Sequence, residues 1–260
     1  FLICIKYSIM NKGGIMLPFG RMLKYGNKIE YKPDGEQLIT TIGTTQFTVP
    51  AGVTEISVCV ISPGGQRGAG GGLSWRNNIP VTSGEYLSVS LTHPNTTTAV
   101  ENGLYRGTEK LCVSFTGEYR VGGLGGKAAN AINDGGGNGG NAGVSGGAVI
   151  GGGAGGYTGK GGNGDAITGE NGAGGGGGGG AFYNTSFIGT GGGTGIIVQG
   201  ANGIGGRYDG SYNGGAGSGG AGKMYGGGGS IWDNFSYTAA GGGAVRIIWG
   251  RGRYYPNNSV

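Results

Sequence analysis

The sequence predicts a mostly β and irregular protein. A small N-terminal β unit is followed by a glycine-rich polyproline II helix bundle, a sandwich of rods with loops at its ends. Three observations carry this reading. Short runs with a period of two lie before residue 121, as half-buried strands require. Glycine accounts for 72 of 260 residues, and 55 of those 72 fall between Gly122 and Gly252. No stretch shows the apolar spacing of an amphipathic helix. A glycine share far above the usual ~7% without a strict G-X-Y period suggests disorder. Disordered chains, however, have few aromatics and high net charge, whereas this chain is 36% apolar and 9% aromatic with a net charge of +5. An ordered glycine body is therefore expected.

Residues 1–42 form the first segment, mixed in composition and basic. Its opening, FLICIKYSIM, places Lys6 inside a short apolar run and has no small-residue cleavage site. It reads neither as a signal peptide nor as a membrane span. Lys32-Pro33-Asp34-Gly35-Glu36 is a turn signal, and the segment reads as a docking piece. Residues 43–121 form the β unit. In AGVTEISVCVIS, Ile56, Val58 and Val60 alternate with Ser57, Cys59 and Ile61. Leu87, Val89 and Leu91 repeat the pattern, as do Leu111, Val113 and Phe115. Val49-Pro50-Ala51-Gly52 suits a type I turn. Val245 to Trp249 reads as a closing strand. Of the three cysteines, Cys59 and Cys112 sit in apolar runs and are expected as buried thiols. With Cys4 they make neither a disulfide framework nor a zinc spacing.

Residues 122–250 form the glycine body, and 251–260 a short tail. Glycine disfavours ordinary helices and sheets, but it suits polyproline II, which has three residues per turn and no internal hydrogen bonds. Every backbone group then needs an outside partner. Glycine at every third position lets neighbouring rods approach closely enough to supply one. Gly137, Gly140, Gly143 and Gly146 keep that step, as do Gly153, Gly156, Gly159 and Gly162. The run from Gly172 to Gly180 reads as one rod. With rods running up and down, one end receives 165–171, 196–199 and 223–225. The opposite end receives 181–188, 207–213 and 230–238, with 144–150 as a fourth loop.

Candidate chemistry is concentrated in those loops. Gly217 to Lys223 imitates the start of a phosphate-binding loop, but Met224 stands where a magnesium-holding Ser or Thr is needed. His93 is the only histidine, so histidine triads and multi-histidine metal sites lack material. Asp165 and Glu170 could imitate a glycosidase pair, though both are expected in an exposed loop. No basic run has nucleic-acid density. Catalytic, metal and cofactor residues are therefore expected to be none. The candidate contact residues are Tyr183, Asn184, Arg207, Tyr208, Asp209, Tyr212, Trp232, Asp233, Asn234, Phe235 and Tyr237. Tyr and Trp give contact area at low entropy cost, and Asn and Ser add adaptable hydrogen bonds, as in antibody loops. Phe182 and Phe187 are expected to cap rod ends, and Trp75, Trp249 and Tyr254 to be structural.

FTVPAGVTEISVCV followed by GGGLSWRNNIPVTSGE, then GGTGIIVQGANGIGG, GKMYGGGGS and GGGAVRIIWGRGRYYPNN, resemble glycine-rich phage tail-fibre proteins. The glycine body is similar in kind to the adhesins that tip T-even-type long tail fibres. The resemblance covers about Thr44 to Asn257, and AVRIIW is its most specific part. It implies a non-enzymatic receptor-binding protein of the virion, made in the host bacterial cytoplasm and placed on a tail fibre or tail tip. Its implied partners are a bacterial outer-membrane protein or surface glycan and a tail-fibre shaft protein, without nucleic acid or membrane insertion. A purely structural virion protein and an ice-binding glycine-rich protein are the alternative readings.

Overall fold

Alternating apolar residues pair into two antiparallel sheets. The computed structural model describes residues 33–65, 67–94, 96–184, 187–207, 213–214, 224–232 and 236–257. Cys4 and most of the docking segment lie outside them. The first sheet comprises β1 (Gly35–Ile39), β3 (Glu55–Ile61), β4 (Leu73–Pro80), β8 (Gly135–Gly137) and β17 (Ala244–Trp249), in the order β1-β17-β3-β4-β8. The second comprises β2 (Gly43–Thr48), β5 (Tyr86–Leu91), β6 (Glu101–Arg106) and β7 (Glu109–Phe115), in that order. Helix is almost absent among the described residues: α1 (Gly126–Ala129) is a single turn.

The sheets bury a shared core. Ile56, Val58, Val60, Val245 and Ile247 from the first meet Phe47, Leu87, Val89, Leu104 and Leu111 from the second. On the opposite face of β3 and β17, Cys59, Ile61, Ala244 and Ile248 enter another core with Tyr157, Ile196, Tyr225 and Tyr255. Both faces of these central strands are thus covered, which explains why ISVCVI and AVRII are nearly continuous apolar runs. Each fully buried Val or Ile contributes about 1.5–3 kcal/mol by leaving water. Cys59 and Cys112 are buried free thiols, as their runs predict. Burial pushes the Cys59 pKa up to about 12.

The second core belongs to the glycine body. Its extended segments hydrogen-bond to one another, with a repeat of three. The N–H groups of Gly151, Gly152 and Gly153 donate to the carbonyls of Gly189, Gly68 and Gly162, and those of Ala154 and Gly155 to Gly192 and Gly71. In return, the carbonyls of Gly151 to Ala154 accept from Gly180, Gly228, Gly140 and Gly177. One segment therefore serves six neighbours in rotation. A Cβ on Gly140, Gly153 or Gly177 would meet the carbonyl oxygen of Gly162, Gly177 or Gly192 well inside contact distance. Close approach, rather than turn formation, sets the glycine requirement there.

One expectation about this body needs correction. The run 172–180 is not one straight segment. Gly174 and Gly175 adopt left-handed φ values of 57° and 81°, and Gly176 N–H donates to Ala173 C=O at 2.9 Å. A turn is made entirely of residues that look like rod, and it brings Ala181 back beside Asp165 at the same end.

Candidate functional site

Backbone pairing collects most of the aromatic loops at one end of the glycine body. Residues 144–150 form a hairpin of β9 (Gly143–Ser145) and β10 (Ala148–Ile150). Its turn residues Gly146 and Gly147 have φ values of 55° and 89°, the left-handed pair that a two-residue I′ turn requires. Val149 of β10 pairs with Ile231 of β15 (Ser230–Trp232), and β15 pairs with β16 (Ser236–Thr238). Trp232 and Tyr237 therefore sit on the β16-β15-β10-β9 sheet. Tyr183 and Asn184 lie on β11 (Phe182–Asn184), which pairs with β12 (Phe187–Ile188) across a bulge. Arg207 is exposed and bridges Thr168. Tyr208, Asp209, Tyr212, Asp233, Asn234 and Phe235 lie outside the described residues.

The loop 165–171, expected at the far end, joins this one. Asp165 bridges Ala181 and Thr168 bridges Arg207; the turn at Gly174-Gly175 is the reason. Its carboxylates are engaged within their own neighbourhood. Asp165 accepts from the N–H groups of Ile167 at 2.9 Å and Thr168 at 3.3 Å, and these hold its carboxyl below the usual range. Glu170 is lowered chiefly by Lys160, whose Nζ lies at 3.1 Å, and also accepts from Asn163 Nδ2 at 2.8 Å. A glycosidase acid needs a raised pKa, and both shifts run the other way. His93, the remaining polar candidate, is exposed on a loop after β5.

The opposite end is closed by packing. Met224 and Tyr225 pair with Gly195 and Thr194, which sets them beside the start of 196–199. Tyr157 and Tyr255 stack with centroids 6.1 Å apart. Tyr157 Oη donates to Gly195 C=O at 3.2 Å, and Trp75 Nε1 donates to Tyr157 C=O at 2.8 Å. Trp249 lies 5.9 Å from Phe47 between ring centroids. Trp75 and Trp249 are structural residues, as predicted; Tyr254 is 52% exposed.

Sequence reasoning missed a further group at the loop end. Tyr119 bridges Gly68, Arg120 C=O accepts from Ala142 N–H at 3.0 Å, and Gly68 packs against Ala142 and Val149. Arg67, Tyr119, Arg120 and exposed Val121 therefore border the β9–β10 hairpin, on which Val144 is exposed. The available signal was charge and aromaticity set between glycines, in GGQRGAGGG and GEYRVGG. Compared with protein-family models and with curated proteins, the chain finds no match.

Proposed function

We propose that this protein is a phage tail-fibre or tail-tip adhesin that recognises a bacterial surface receptor, an outer-membrane protein or a surface glycan. Its glycine body is a bundle of polyproline II rods. In support, hydrogen bonds rotate among neighbours with a repeat of three, the repeat of that helix. The observation that supports the adhesin reading is the meeting of β10 with β15, and of 165–168 with Ala181 and Arg207, through the pairings of Val149 with Ile231, Asp165 with Ala181 and Thr168 with Arg207. Rods held by bonds on all sides limit the ordering cost of displayed loops on binding. Several copies on a virion convert modest affinity into firm attachment. Recognition is reversible, without a cofactor or a catalytic step.

The test is attachment of the labelled protein to a panel of bacterial strains, alongside a variant whose loops 181–188, 207–213 and 230–238 are replaced by Gly-Ser. Strain-selective attachment that is lost in a folded variant is the expected result. Attachment to a host strain that survives the replacement would remove the loops from the reading. Failure to attach to any strain, the host included, would favour a structural virion role.

A further inference from the structure

The side chains of Arg67, Tyr119 and Arg120 form a charged cluster beside the β9–β10 hairpin, on segments tied together through the backbone of Tyr119 and Arg120. Cζ of Arg67 lies 4.6 Å from the Tyr119 ring centroid, and that of Arg120 5.0 Å. Arg67 Nη1 also donates to Tyr119 Oη at 3.1 Å. Two guanidinium groups are thus held on one ring, which is itself 46% exposed. Among the described residues neither arginine forms an ion pair, and nor does Glu118 beside them in the chain. Nε of Arg120 is buried and has no acceptor among the described residues.

The cluster is built by the backbone. Arg120 holds a φ of 66°, a left-handed conformation uncommon for a residue with a side chain. Such outliers concentrate at ligand clamps and similar sites. The bridge from Tyr119 to Gly68 and the bond from Ala142 N–H to Arg120 C=O fix the arrangement on both sides. Like charges brought onto one ring repel, and the ring's negative face offsets only part of that. A bound oxyanion would offset the rest and give the buried Nε–H an acceptor.

We propose that Arg67, Tyr119 and Arg120 bind an oxyanion, the phosphate or carboxylate of an acidic glycan on the bacterial surface. Guanidinium forks match both groups in shape and charge. The glycan assignment rests on the adhesin reading, because the cluster borders the loop end and would meet the cell surface with it.

The experiment is an NMR titration of the full chain with galacturonate and with glucose 6-phosphate, against glucose and inorganic phosphate. At least one acidic sugar is expected to give saturable shifts at residues 67 and 119–121, while glucose gives none. Arg67→Gln with Arg120→Gln should weaken that binding at least tenfold with the remaining spectrum unchanged. Arg67→Gln alone serves if the double variant does not fold. Binding that ignores these substitutions, or the absence of saturation by any probe, overturns the proposal. Saturation by inorganic phosphate without either acidic sugar overturns the glycan assignment. The titration needs no cells, so failure of the protein to attach to any strain, the host included, would sink the adhesin reading while leaving the oxyanion result standing.

Discussion

Arg246 is a charged side chain only 1% exposed, in the middle of the closing strand. Its Nη1 donates to Ile197 C=O at 2.7 Å, and its Nη2 meets the Glu36 carboxylate on β1. Arg253 reaches the same carboxylate at 2.6 Å. One guanidinium thus ties a loop of the glycine body, the central strand and the first strand together. The bond from Arg246 is the largest influence holding the Glu36 carboxyl below its ordinary value. A depressed native pKa means that folding favours the ionised form. The contribution is therefore complete above the ordinary value of about 4.3 and is lost as pH falls through the lower native one. Glu36 is 45% exposed on its side chain, which screens the pair and limits the effect to about 1 kcal/mol. Glu36→Gln should lower unfolding free energy by that amount at pH 7 and match the parent near pH 2.5. Chemical denaturation at both pH values checks this; a difference that persists in acid would assign the effect to packing instead of charge.

At the scale of elements, glycines of identical appearance carry different demands. A Cβ on Gly177 would overlap the carbonyl of Gly192, whereas one on Gly242 meets nothing within 4 Å. Gly177→Ala is expected to cost about 3 kcal/mol or more, the upper range for overpacking. Gly242→Ala should be neutral or slightly stabilising through the unfolded chain. Equal effects of the two in thermal unfolding would refute close approach as the reason for the glycines. The strands were legible in the sequence because Val58, Val60, Val245 and Ile247 announce a face by alternating. The step of three among the glycines was legible too, but the partners of each segment were not. Glycine has no side chain with which to mark a neighbour, and the turn at Gly174-Gly175 is spelled in the same letter as its surroundings. A partial marker went unread. Asn138, Asn141 and Asn163 accept from the N–H groups of Gly125, Gly122 and Asn141. Asn171 and Asn202 accept from Gly205 and Gly175. The asparagines between glycines complete the contacts between segments, so their spacing records part of the neighbour map. At the loop end, the aromatic residues stood out against glycine, while Arg67 and Arg120 did not because each is a single charge far from the other in sequence.

Across the whole molecule, the first sheet is the wall common to two cores. Val58 and Val60 face the second sheet, while Cys59 and Ile61, their neighbours on the same strand, face Tyr157, Ile196 and Tyr225 of the glycine body. The glycine body has little apolar area of its own, and its hydrogen bonds replace bonds to water at a net gain of only about 1 kcal/mol each. Its order must therefore draw on the wall it shares, and residues 33–260 indeed cluster as one compact unit. If so, the glycine body cannot open while the sheets stay closed. The amides of Gly153, Gly162 and Gly177 should exchange with deuterium only through global unfolding, at the same free energy as those of Val58, Val60 and Ile247. Denaturant should lower both groups with one slope, since a single transition exposes one area. Exchange of the glycine amides at a distinctly lower free energy would mean that the body opens alone. The adhesin reading would then lose its rigid support, because loops carried on a separately melting body would have to be ordered anew at each encounter with a receptor.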